Sequence, residues 1–176
     1  ALEPKLVIKK SAPVEISMCA PILYIFKIEN IGSGTAKNVK LYDTLPAGLQ
    51  LLDDATHDVT VSFNGGAASV VSSGTGAGSY HYAYTDSSTT SALAYPFSAA
   101  LTGTATLTYY TVVTNRDQYL NSNGSISFKN AASLSWNEIP VSSVAPGDTA
   151  SVTAVGSGGL LSKSGGSAVN YTYPGY

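Results

Sequence analysis

Charge is scarce in this chain. Asp, Glu, Lys and Arg make up 11% of its 176 residues, against about 25% in ordinary soluble domains. The net charge of −2 comes without any basic cluster, which excludes a nucleic-acid partner, because that requires a concentrated Lys/Arg stripe to displace counterions from phosphates. Cysteine is nearly missing too. Cys19 stands alone, so no intrachain disulfide can form and any covalent cross-link must be intermolecular or of another kind. With Met18 and Ala20 beside it and no positive residue adjoining, Cys19 reads as a small buried hydrophobe rather than a reactive thiol. No apolar run approaches the ~20 residues of a transmembrane helix, and no signal peptide is present. The start at Ala1, without methionine, suits a processed, exported protein and equally a chain without its natural beginning. Helical periodicity is absent as well, since no apolar i, i+3, i+4, i+7 stripe persists along the chain.

What remains is hydroxyl-rich and β-patterned. Ser and Thr together number 41, and glycines 17. Ile22, Tyr24, Phe26 and Ile28 alternate with Leu23, Ile25, Lys27 and Glu29, the period of a half-buried strand. Asn30 to Gly34 breaks it, and Thr35 to Thr44 returns with Val39 and Leu41 inward and Lys40 and Tyr42 outward. Leu45-Pro46-Ala47-Gly48 supplies type I turn chemistry.

The order of strand, Asn-x-Gly-x-Gly, strand and Asp-Thr-Leu-Pro-x-Gly-Leu in Asn30 to Leu49 resembles the signature of the domain of unknown function 11 family. Pro4 to Ser11, Leu101 to Tyr109 and Asn130 to Leu134 extend the resemblance over about residues 4 to 137. It implies an immunoglobulin-like β-sandwich of a bacterial or archaeal cell surface, structural or adhesive, with no catalytic residue to carry over.

Elsewhere, Leu6 and Ile8 face away from Lys5, Val7 and Lys9 in an edge-like first strand. Val59 to Phe63 and Ala68 to Val71 flank Asn64-Gly65-Gly66, a type I′ hairpin signal. Thr104 to Thr114, Ser125 to Trp136 and Thr149 to Val155 read as further strands. Such short strands punctuated by Gly, Ser and Asn predict an all-β, immunoglobulin-like antiparallel sandwich. Its core is expected over residues 1–137, with an additional strand, a Gly/Ser hinge and a β-competent tail over 138–176.

Few residues suggest chemistry. No nucleophile elbow, zinc pattern or triad spacing occurs, so neither an enzyme, a cofactor nor a metal is expected. His57 among Asp53, Asp54 and Asp58 reads as a solvated loop, and Asn115, Asp117, Asn121 and Asn123 lack the order of a calcium loop. Asn123-Gly124-Ser125 and Asn170-Tyr171-Thr172 are sequons for glycosylation. Tyr80, Tyr82 and Tyr84 share a strand face, fit either for cross-strand packing or for contact with a sugar or a neighbouring subunit. Lys9 or Lys10, Asp43 and Asn130 are conceivable members of a Lys-Asn isopeptide cross-link of the kind some surface sandwiches carry; the bland alternative is surface lysines and a turn-bonding Asn, since burying Lys and Asp is costly.

The tail places Val169, Tyr171 and Tyr173 on one face. It suits either donation to a neighbouring subunit or covering of its own sheet edge. Head-to-tail donation does not close and builds a fibre. The expectation is thus a structural subunit of an extracellular, pilus-like homopolymer, whose partner is itself. The alternative is a surface adhesion or carbohydrate-binding module whose partners are glycans or other cell-envelope proteins.

Overall fold

The structure, a computed structural model, describes residues 2–116, 124–137 and 146–156. Strands are numbered in chain order, and they form two packed sheets. The first sheet runs β1 (Leu6–Ser11), β3 (Ile22–Asn30), β10 (Thr104–Val113), β6 (Thr60–Phe63) and β7 (Ser69–Val70), with β5 (Leu49–Leu52) pairing the far half of β10. The second runs β2 (Glu15–Ser17), β12 (Gly147–Val155), β11 (Ser125–Ser135), β4 (Lys40–Leu45), β9 (Ser91–Pro96) and β8 (His81–Ala83). Pairing is antiparallel except between β2 and β12. This is the expected immunoglobulin-like sandwich, and no α-helix occurs among the described residues.

Alternation along each strand builds the core. On β3, Ile22, Tyr24, Phe26 and Ile28 point inward and are buried, and β10 answers with Ala105, Leu107 and Tyr109. The Tyr109 ring stacks on Tyr24 and Phe26 at centroid distances of 5.6 and 5.4 Å. Burying aromatic side chains of this size stabilises by about 1.5–3 kcal/mol each.

Several expectations change. The additional strand expected at Thr149 to Val155 is β12, which pairs with β11 over nine residues and also carries β2, so it belongs to the second sheet. Two strands without a sequence expectation also appear, β2 between β1 and β3 and β9 between β8 and β10. Cys19 is exposed while Met18 takes the buried slot, because the chain turns between β2 and β3 and points the thiol outward. Gly48 has φ +93 and Leu49 N donates to Pro46 O at 3.2 Å. The turn is therefore Pro46 to Leu49 with glycine third, where type II geometry demands positive φ. Asn64 and Gly65 do have positive φ, and Gly66 N donates to Phe63 O at 2.9 Å, as a type I′ turn requires.

Candidate functional site

Strand parity delivers a lysine into the core. Leu6, Ile8 and Lys10 share one face of β1, and Lys10 is only 4% exposed whereas Lys9 points to solvent. From the opposite sheet, β4 turns Leu41, Asp43 and Leu45 inward, and β11 does the same with Phe128, Asn130, Ala132 and Leu134. Lys10, Asp43 and Asn130 therefore meet between the sheets, together with Tyr109 of β10.

The contacts form a continuous network. Lys10 Nζ donates to Asp43 Oδ1 at 2.6 Å, with neither side chain exposed at all. Its ammonium also lies 4.9 and 4.8 Å from the Tyr24 and Phe26 ring centroids, a cation–π arrangement. Tyr109 hydroxyl donates to Asp43 Oδ2. Asn130 Nδ2 donates to Tyr109 Oη at 2.9 Å and reaches Asp43 Oδ2 only at 3.4 Å. Asn130 Oδ1 is buried and has no hydrogen-bond partner among the described residues.

Burial governs the protonation of the cluster. Desolvation lowers Lys10 to about 8, against the opposing pull of the Asp43 and Asp148 charges. Desolvation likewise raises the Asp43 carboxyl despite Lys10, Tyr109 and Asn130, which favour its ionised form. Both shifts point toward an uncharged amine beside an uncharged acid. Tyr109 is pushed well above the ordinary tyrosine range by burial and by the Asp43 charge. An amine, a carboxyl group and a primary carboxamide thus share one dry pocket, the three groups that an amide exchange would call on.

The expectation of surface lysines and a turn-bonding Asn is overturned, and Lys10 rather than Lys9 is the lysine involved. Tyr109 was missed; its place on the same face as Leu107 and Thr111 in the alternation was the available signal, but an inward tyrosine reads first as packing.

The other sequence-singled residues fall elsewhere. Tyr80 is buried with its hydroxyl on Asp53 Oδ2. Tyr82 hydroxyl contacts Ser91 Oγ at 3.1 Å and accepts from Leu51 N at 3.2 Å, and its ring stacks on Tyr84. The row does share a face, but that face turns into the sandwich and leaves Tyr84 as the ring lining a groove with Gln50, Leu52 and Arg116, about 620 Å³ in volume. The His57 loop is local: Asp54 Oδ1 accepts from His57 N and Thr56 N, both at 2.9 Å, and contacts His57 Nδ1 at 2.9 Å. Those bonds hold the exposed Asp54 carboxyl down at about 2. No group of three metal-ligating side chains occurs among the described residues. Asp117, Asn121, Asn123, Asn170, Val169, Tyr171 and Tyr173 lie outside the described residues.

No family model matches the chain, and no curated protein matches it. Solved structures do. The Enterococcus faecalis MSCRAMM ACE, which binds its ligands by the collagen hug model, is similar with TM-score 0.50 and 12% identity over 85% of this chain and 50% of that one. The group B streptococcus pilus 2b backbone protein gives TM-score 0.48 and 17% identity over 80% and 56%. AvmM, which catalyses macrocyclization in alchivemycin A biosynthesis, gives 0.47 and 10% over 85% and 88%. The chain thus spans about half the length of the first two. Likeness at these identities is one of fold alone.

Proposed function

We propose that the chain is a load-bearing β-sandwich module of an extracellular surface structure, reinforced by an amide bond between Lys10 Nζ and Asn130 Cγ. One observation carries this reading: Lys10, Asp43 and Asn130, drawn from both sheets, converge in a site sealed from water. A buried ion pair is a poor stabiliser, and apolar residues of similar volume are often neutral or better by about 1–4 kcal/mol. Amide formation removes that burden by replacing an ammonium with a neutral group. It also ties β1 of one sheet to β11 of the other. The reaction happens once per chain, so the role is structural rather than that of a turnover enzyme.

The resemblance of Asn30 to Leu49 to the domain of unknown function 11 family accords with a surface location. Within that role, the reading extends to a pilus-like homopolymer in which the segment Gly165 to Tyr176 donates a strand to the next subunit. The adhesive alternative retains the groove at Tyr84 and Arg116 as its contact surface.

The direct test of the linkage is intact mass. The purified chain should be lighter by one ammonia than its sequence mass, and Lys10→Ala and Asn130→Ala should each show the full mass expected for the variant. Full mass in the unaltered chain after prolonged incubation would falsify the linkage. Assembly is read separately: native material should appear as uniform fibres by negative-stain microscopy, and deletion of Gly165 to Tyr176 should leave monomers.

A further inference from the structure

Resting on the Lys10–Asn130 linkage, we infer that Tyr109 is a catalytic residue of that reaction, delivering the proton that lets the Asn130 nitrogen leave as ammonia. Amide exchange passes through a tetrahedral carbon bearing two nitrogens, one from Lys10 and one from Asn130. Whichever nitrogen is protonated departs. If the Lys10 nitrogen keeps its extra proton, the intermediate falls back to the starting side chains; if Nδ2 gains one, the cross-link forms. The direction of the reaction is therefore set by which acid touches Nδ2.

The distances single out the tyrosine. Asp43 Oδ1 lies 2.6 Å from Lys10 Nζ, well placed to take its proton, but Asp43 Oδ2 stands 3.4 Å from Asn130 Nδ2. That is beyond the usual 2.7–3.2 Å span for such a bond. Tyr109 Oη fills the gap, with Nδ2 at 2.9 Å on one side and Asp43 Oδ2 in hydrogen-bond contact on the other. In the resting amide Nδ2 donates to the phenol oxygen. Once its carbon becomes tetrahedral, the nitrogen is an ordinary amine and accepts instead.

The step balances as one relay. The Lys10 nitrogen bonds to Asn130 Cγ and gives a proton to Asp43 Oδ1. As Nδ2 turns from donor to acceptor, the Tyr109 hydroxyl swings from Asp43 Oδ2 to Nδ2 and gives it its proton, and Asp43, entering as the acid, turns its own proton from Oδ2 onto Tyr109 Oη. The Cγ–Nδ2 bond breaks with its electron pair on nitrogen, ammonia departs, and the carbonyl re-forms at Oδ1. Asp43 and Tyr109 end as they began, protonated, and no oxidant or other co-reactant is consumed. The tyrosine is held for this by its stack between Tyr24 and Phe26, which fixes the ring without the hydroxyl.

Tyr109→Phe keeps the stacked ring and removes only the oxygen. We compare it with Tyr95→Phe, which removes the hydroxyl of a buried tyrosine of β9. Each is purified promptly and followed by intact mass over time, with circular dichroism to verify the sheet, in ordinary and heavy water. Tyr95→Phe should link as the unaltered chain does. Tyr109→Phe should fold yet lose ammonia about 10²–10⁴-fold more slowly, the usual weight of a positioned acid. Heavy water should slow the Tyr95→Phe linkage several-fold and change the ratio in Tyr109→Phe, a readout that packing alone does not move. A Tyr109→Phe chain linked as fast as Tyr95→Phe overturns the inference while leaving the linkage standing. A slowed chain with an unchanged solvent isotope ratio also overturns it, assigning Tyr109 to packing, and absence of linkage in the unaltered chain overturns the reading beneath both.

Discussion

Lys10 occupies a strand position where an aliphatic side chain would pack at no electrostatic cost, and its ionisation shows what that placement demands. In an unlinked chain such as Asn130→Ala, burial holds the folded-state Lys10 near 8 while the unfolded chain titrates at the ordinary 10.5. Between those values the unfolded state binds more protons, so stability rises with pH. Asp43, whose folded pKa is raised, acts in the opposite sense on the acid side. Tyr24 and Tyr109, held protonated by burial, pull stability down only above about 10, where an unfolded tyrosine ionises. Asp148 also acts on Lys10, its Oδ2 accepting from the Lys10 backbone N at 2.8 Å. The predicted outcome is a urea midpoint for Asn130→Ala that climbs from pH 8 to pH 10. The linked chain lacks this rise, because an amide does not titrate. A flat or falling midpoint in the variant would show that Lys10 is not desolvated as described.

At the scale of elements, β1 depends on a clip formed just before it. Asn30 Nδ2 donates to Gly34 O at 2.8 Å and Leu101 O at 2.9 Å, while its Oδ1 accepts from Lys5 N and Gly32 N at 3.2 and 3.0 Å. The leader residues cross Gly32 so closely that a Cβ there would lie 2.4 Å from Glu3 O and 2.5 Å from Lys5 N. Both contacts are backbone, so Gly32→Ala should push the leader off and destabilise by about 1–3 kcal/mol, as overpacking does. Equilibrium urea unfolding checks this, and an unchanged midpoint would mean the leader is not docked there. The Asn-x-Gly-x-Gly stretch was legible in the sequence as a break, but what crosses it was not, since close approach between distant segments leaves no local pattern. The long strands β3, β10 and β11 were legible because their period-two contrast is strong. β9 was not: Ala92 and Ala94 face outward opposite Ser91, Leu93 and Tyr95, and alanine gives little contrast. β2, at three residues, is too short to show a period. The site was half legible. Parity on β1 and β4 places Lys10 and Asp43 on the inward faces, yet the rule that charge belongs outside argues against reading them so; only their joint burial resolves the conflict.

Across the whole molecule, the proposed Lys10–Asn130 link would decide which part of the chain bears load. Lys10 lies on the first strand, and Asn130 on β11, next to the last described strand; the two are 120 positions apart. An amide between them closes a loop whose lost freedom in the unfolded state stabilises by about 4–5 kcal/mol on the scale used for disulfides. Tension applied at the two ends of the chain travels through Leu2 to Lys10, across the new bond and into β11 and β12. Everything from Ser11 to Lys129 is bypassed, including β3 and β10 at the centre of the first sheet. Pulled by its ends in a single-molecule instrument, the unaltered chain should therefore extend only through its terminal segments. Asn130→Ala should release the enclosed residues as well, roughly 400 Å of added contour length at about 3.3–3.6 Å per residue. Equal extension in the two chains would place the load on hydrogen bonds of the sheets rather than on a covalent tie. A bond at that position, from the first strand to β11 of the opposite sheet, would let the proposed module hold its fold while force passes through it.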